Sequence, residues 1–319
     1  LNDARTRKDL IDALAHSIGA VEAGRKLLRQ NRPGALVVAD RGYTPFGEIS
    51  SLGIADGIPV FTWNIAQRYG LIVMKRFAAH NTDVHHHSLS GESWEKIAKL
   101  EWCDDFRVAS ERELVDSYTS GEWYGEVGTQ FNVSSFDREA LIERLALDPA
   151  KKTVVLFPHI FWDGTFFWGK DLFDDYEHWY CEVLKVARKN TKLNWVVKVH
   201  PANILKDVRD QFSTEHSEVT ALKRILGEQP GHIHLIEASS DISTLSLFSI
   251  MDYCLTVRGT IGIEAAYRGI PVLTAGTGRY DRLGFTVDFD TRDAYLLQLA
   301  RLETLPPITP EQTDLAQKF

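Results

Sequence analysis

Apolar residues recur along this chain in two rhythms, helical stripes at spacings of three and four and short unbroken runs of four to six residues. Their alternation predicts an α/β protein. Residues 3–30 read as a helix carrying Leu10, Ile11, Leu14, Ile18, Val21, Leu27 and Leu28, with Gly19 and Gly24 as weak points, and Asn31-Arg32-Pro33-Gly34 ends it. An apolar strand, Ala35–Ala39, runs into the polar loop Asp40-Arg41-Gly42-Tyr43, and a helix to about Ala55 precedes Gly57-Ile58-Pro59 and a second strand around Val60–Trp63. Ile72-Val73-Met74 reads as a short strand. Helices are expected over Glu92–Leu100, Glu111–Thr119 and Arg138–Ala146.

The second half repeats the pattern more strongly. Strands are predicted at Thr153–Phe157, Asn194–Val199, His232–Ile236, Tyr253–Val257 and Val272–Ala275, with helices over Asp174–Arg188, 204–226, Ser239–Phe248 and Ile261–Tyr267. Runs that are apolar on both faces belong to parallel sheets covered by helices. Arg268-Gly269-Ile270-Pro271-Val272 echoes the earlier Gly57-Ile58-Pro59: glycine stops a helix, and proline opens a strand where its missing N–H does least harm. At 319 residues the chain is long for one core. We place the domains at 1–145, reduced or incomplete, and 146–305, with 306–319 as a tail.

Composition narrows the function classes. Hydrophobic residues at 44% and charged ones at 25% describe a globular chain, and a formal charge of −8 argues against nucleic acid as partner. Cys103, Cys181 and Cys254 are widely spaced, which fits buried thiols in a reducing, cytoplasmic compartment. No apolar run reaches the ~18 residues that a membrane span needs. The chain starts at Leu1 within a charged helix, so a missing first portion, or a place in a larger multidomain chain, is expected.

Candidate chemistry gathers where strands end. The turn Arg258-Gly259-Thr260 would bring backbone N–H groups, a hydroxyl and a guanidinium to a helix start, a setting that favours phosphate, with Glu264 one turn further in, where a carboxylate could accept from a ribose. Lys198 and His200-Pro201 end another strand, and the alternation places the cation and the imidazole on one face. Asp163-Gly164 follows the strand at 153–157, beside Phe161, Trp162, Phe166, Phe167, Trp168 and Phe173, mostly core by composition. Asp40 stands at the matching edge of the first domain. Either carboxylate is a candidate general base, with a turn or cap as the plainer alternative. His85-His86-His87 lies in a polar stretch that reads as a solvated loop; consecutive residues point apart, so no metal site is assigned.

Taken together, Lys198-Val199-His200-Pro201, the 252–285 stretch, Tyr280-Asp281 and Gly284-Phe285-Thr286 resemble the C-terminal half of capsule-polysaccharide biosynthesis transferases and of CDP-glycerol glycerophosphotransferases. The resemblance covers about residues 150–287. It implies a GT-B architecture, two Rossmann-like domains facing across a cleft, and a metal-independent glycosyltransferase without cofactor. The donor would be a nucleotide sugar, CMP-type favoured with UDP or CDP open. The acceptor would be a growing surface saccharide or glycolipid, reached in the cytoplasm or at the inner membrane face. By the same resemblance, which extends through the His-Pro element and the acidic-Gly pair to bacterial sialyltransferases, Lys198, His200, Pro201, Arg258, Gly259, Thr260, Glu264, Tyr280 and Asp281 form the donor site, His200 is also catalytic through its contact with the donor phosphate, and Asp163 is the base. Gly259-Thr260 departs from the family's usual Ser-Ser or Ser-Thr. Sugar-nucleotide 2-epimerases share the architecture and much of the pattern, and a non-catalytic carbohydrate- or partner-binding domain is the third reading.

Overall fold

The computed structural model describes residues 4–66, 70–101, 103–119, 134–164, 169–204 and 215–319. The chain forms two compact units, Leu1–His87 with Phe166–Gly169, and Ser88–Thr165 with Lys170–Phe319.

In the first unit, α1 (Ala4–Asn31) and α2 (Phe46–Ala55) pack together where Gly24 lets Ile49 and Leu52 approach, and Ser17 Oγ donates to Glu48 at 2.6 Å. Beneath α2 lie β1 (Leu36–Val38), β2 (Val60–Ile65) and β3 (Ile72–Phe77), in that order. β1 and β2 are parallel, but β3 is antiparallel to β2, pairing Trp63 with Met74. The expectation of purely parallel sheets therefore fails here. Ala66 N–H already meets the Leu71 carbonyl at 3.0 Å, and so short a connection cannot make a parallel crossover. His85, His86 and His87 are buried, not a solvated loop, with ring centroids 4.2–5.7 Å apart. Close stacking removes them from water more effectively than their polar neighbours in sequence suggest. Gly57 at φ 73° and Gly269 at φ 77°, the two helix stops of the repeated motif, both use the left-handed conformation that glycine alone adopts freely.

The second unit is a five-stranded, all-parallel sheet: β4 (Thr153–Leu156), β5 (Asn194–Lys198), β6 (Ile233–Ile236), β7 (Tyr253–Thr256) and β8 (Val272–Thr274), in spatial order β6-β5-β4-β7-β8. Alternate residues feed two cores. Val154, Leu156, Trp195, Val197, Leu255 and Leu273 pack under α6 (Tyr176–Lys189), α7 (Ser217–Leu226) and α10 (Arg292–Ala300). Val155, Val196, Cys254 and Val272 pack under α5 (Arg138–Arg144), α8 (Thr244–Leu247), α9 (Ile261–Tyr267) and α11 (Pro310–Lys318). The helix expected over 204–226 is described as a turn at 202–204 and as α7; the calls on Phe166, Phe167 and Trp168 lie outside the described residues. Phe173 is core and Phe161 packs against it, whereas Trp162 is exposed.

The boundary falls at residue 87, not 145. α3 (Gly91–Ala98) sets Trp94 against Phe285 and Phe319, α4 (Asp104–Thr119) buries Tyr118 beside Glu264, and Leu141 is fully buried in the second unit's core. Residues 306–319 are likewise no tail. Thr309 and Gln312 form a reciprocal cap for α11, which packs on α9 and buries Ala316. Cys181 and Cys254 are buried thiols and Cys103 is exposed. Among the described residues no helix is long and apolar enough to cross a membrane, and no cluster of His, Cys, Asp or Glu is disposed to hold a metal.

Candidate functional site

The strand order of the second unit reverses between β4 and β7, and in open parallel sheets the crevice beyond the carboxyl ends at that point is where ligands bind. The residues that emerge there are His159 after β4 and Arg258-Gly259-Thr260 after β7, with Lys198 and His200 one strand away at the end of β5.

His159, which sequence reading passed over, ties the two loops together. Its backbone is left-handed, φ 66°, and its ring stacks on Tyr176 at 4.5 Å with an interplanar angle of 12°. Nε2 accepts from Val257 N–H at 3.1 Å and Arg258 N–H at 3.3 Å and lies 3.0 Å from Thr256 Oγ1. Thr256 Oγ1 in turn accepts Gly259 N–H at 3.1 Å, and the Tyr280 hydroxyl donates to the Gly259 carbonyl at 2.6 Å. The amides of 257, 258 and 259, expected to face a phosphate, are thus bonded within the protein. Desolvation, then the charges of Arg258, His200 and Arg279, lower the His159 pKa to about 3. The residue is half-buried.

Arg258 is 4% exposed, and its Nη2 donates to Asp171 Oδ1, while Nε and Nη1 have no partner among the described residues. It fits only because Gly276 and Gly278 lack side chains: a Cβ on Gly276 would lie 2.7 Å from the Lys170 carbonyl oxygen and 3.0 Å from Arg258 Nη2. Desolvation raises the Asp171 pKa, and Arg258 works against that shift. Tyr176, whose own pKa is raised to about 12 by burial, feels Arg258, Asp171, Asp163 and Arg279, which places all four around it.

Lys198 is also 4% exposed and no carboxylate among the described residues meets it; burial lowers its pKa to about 8. His200 is exposed at the strand end, and desolvation and the Lys198 charge lower its pKa. Its Nδ1 accepts Ala202 N–H at 3.1 Å, which leaves Nε2 as the outward donor, and Pro201 starts the helical turn at 202–204, a position that needs no N–H. Lys198, Arg258 and Arg279 thus bring positive charge to this end of the sheet, where Asp171 and Asp163 also lie.

The remaining predicted residues divide. Asp163 is half-buried near Tyr176, its Oδ1 held by Gly164 N–H at 2.9 Å. Thr260 is the N-cap of α9 and makes no side-chain capping bond. Glu264 is 3% exposed and takes the Tyr118 hydroxyl, and burial raises its pKa to about 7 despite that bond and Arg268. Tyr280 is buried against Gly262, and Asp281 Oδ1 accepts Gly278 N–H at 2.5 Å, so both shape loops. Asp40, in the first unit, accepts Gly42 N–H at 2.7 Å as a turn residue. Besides His159, the sequence reading missed Asp171 and Tyr118. His159 at a strand end was a readable signal; the partners of the other two, 87 and 146 residues away in the chain, were not.

No curated protein matches this chain. Among solved structures it is similar to Thermosulfurimonas dismutans KpsC, described as a beta Kdo 2,4 transferase, at 13% identity and TM-score 0.48, covering 91% of this chain and 80% of that one. A second KpsC structure from Thermosulfurimonas dismutans, a beta Kdo 2,7 transferase, gives 14% identity and TM-score 0.44 over 87% and 78%. A Neisseria meningitidis UDP-GlcNAc 2-epimerase bound to UDP-GlcNAc gives 14% and 0.37 over 94% and 74%. The family model of the capsule polysaccharide biosynthesis protein matches residues 131–303, a span that contains the whole five-stranded sheet and its crevice. Since that span is more than half of the sequence, the chain belongs to the capsule polysaccharide biosynthesis protein family.

Proposed function

We propose that the protein is a metal-independent glycosyltransferase of GT-B type. It moves a sugar from a nucleotide-activated donor, CMP-type before UDP or CDP, to a saccharide or glycolipid acceptor of a surface polysaccharide, on the cytoplasmic side. The observation that carries this reading is Lys198, a cation 4% exposed at a sheet edge with no carboxylate partner among the described residues, beside an outward-facing His200 donor. Burying an unpaired charge is costly, and an anion from solution would relieve it.

In this reading the donor phosphate lies against Lys198 and His200, with the buried Arg258 guanidinium adding its charge and the Thr260 hydroxyl at the other side. Fixed cations at the sheet edge stabilise charge as it develops on the leaving phosphate, so the reaction needs no ion for that purpose. Asp163 takes the proton of the acceptor hydroxyl. Gly164 N–H fixes one of its oxygens.

The test is a thermal-shift series with CMP, CDP and UDP, followed by product analysis with the matching nucleotide sugars. A nucleotide at 100 times its Kd adds about 2.7 kcal/mol of apparent stability. Binding of one nucleotide and its release together with an extended acceptor support the proposal. An altered nucleotide sugar without acceptor turnover would move the assignment to a 2-epimerase, and the absence of any nucleotide binding would remove the donor site.

A further inference from the structure

We infer that His159 is a ligand-binding residue of this crevice, a neutral imidazole whose Nε2 is occupied by the amides of Val257 and Arg258 and whose Nδ1–H donates to an anionic oxygen of the bound ligand. Two backbone N–H groups pointing at one ring nitrogen decide the tautomer, because a nitrogen that carried its own proton would oppose both. The proton therefore sits on Nδ1. Stacking on Tyr176 and the edge of Trp179, 6.2 Å away, hold the ring in this orientation.

A latch between two loops would explain Nε2 alone. Nδ1 has no partner among the described residues, and the half-buried ring lies within the electrostatic reach of Arg258 and Arg279. A half-buried donor among cations matches a phosphate oxygen: the cations supply charge, and a neutral N–H supplies direction without adding to their mutual repulsion. The same arrangement rules out His159 as the general base, since its only lone pair is already used. Protonation would break the contacts to 257 and 258 and add a charge beside Arg258, which agrees with a pKa held near 3.

The inference rests on the anion-binding reading given above and can fail separately from it. The experiment is long-range 1H–15N correlation on histidine-labelled protein, with the His159 resonances assigned from His159→Gln, during titration with inorganic pyrophosphate and, separately, CMP and UDP. An Nδ1–H tautomer in the free protein and a shift of that Nδ1 on saturation are expected. His159→Phe, which keeps an aromatic stack but neither nitrogen, should weaken pyrophosphate binding about tenfold, whereas the Gln variant, which keeps an acceptor and a donor, stays within about threefold. If pyrophosphate moves Nδ1 but no nucleotide binds, His159 keeps its role and the nucleotide-donor reading falls. If a nucleotide saturates the protein and Nδ1 does not move, or if the free tautomer is Nε2–H, the inference is overturned while the donor site stands. No response to any of the three ligands overturns both.

Discussion

The Tyr118 hydroxyl donates to the Glu264 carboxylate in the interior of the second unit, joining α4 to α9 across 146 residues of sequence. A carboxyl held at about 7 binds more protons in the folded than in the unfolded chain between its ordinary 4.5 and that value. Its contribution to stability therefore falls as pH rises through that window. Glu264→Gln, which can still accept from Tyr118, should remove the fall and leave the variant about 1–3 kcal/mol more stable than the parent above pH 7. Urea unfolding of both proteins at pH 4.5 and 7.5 checks this; parallel pH profiles would count against a raised Glu264.

Lys198 gives the opposite slope. A lysine depressed to about 8 binds fewer protons folded than unfolded between about 8 and 10.5, so its burial costs stability at neutral pH and the cost fades as pH rises through that range. Lys198→Met should be about 1–3 kcal/mol more stable than the parent at pH 7 and nearly equal to it above pH 10. It should also lose most of its pyrophosphate affinity by calorimetry. Gain of stability with loss of binding is the signature of a charge retained for a ligand.

Gly262 is fixed by Tyr280, because any Cβ there would overlap the phenol that bonds the Gly259 carbonyl. Gly262→Ala should cost about 2–4 kcal/mol, since the buried ring has nowhere to move. Tyr280→Phe, which loses one hydrogen bond and keeps the ring, should cost about 1 kcal/mol. Equal losses in chemical denaturation would show that the overlap is relieved by backbone movement.

Asp163→Asn should reduce transfer about 10² to 10⁴-fold with little change in nucleotide affinity, as expected for a group acting on the acceptor hydroxyl. Asp40→Asn is the control, since its carboxylate serves the 40–42 turn. Steady-state kinetics of both variants with one donor and one acceptor separate the candidates. An inactive Asp40 variant beside an active Asp163 variant would transfer the base to the first unit.

How the chain divides between legible and hidden follows from the range of the forces. Strand positions, helix stops and the parallel sheet of the second unit were readable because apolar runs and Gly-Ile-Pro signals act within a few residues; β7 was expected at 253–257 and spans 253–256. The antiparallel β3 was missed because Ile72-Val73-Met74 looks the same in either direction. Lys198, His200 and Arg258 were readable as strand-end cations. That Lys198 lacks a counter-charge among the described residues while Arg258 has Asp171 was not, because it depends on which loops meet.

The sequence by itself determined the α/β class, the order of the elements and the polar residues available at each strand end, since these follow from local periodicity and turn chemistry. Only the tertiary structure decided the rest. The β6-β5-β4-β7-β8 order set β4 beside β7 and so turned His159 toward the amides of 257 and 258, 98 and 99 residues further along the chain. The packing of α4 and α11 on α9 closed Tyr118 over Glu264 and drew residues 88–145 and 306–319 into the second unit. Proton affinities followed from that enclosure, because the cost of a buried charge is set by every group around it and not by its neighbours in sequence.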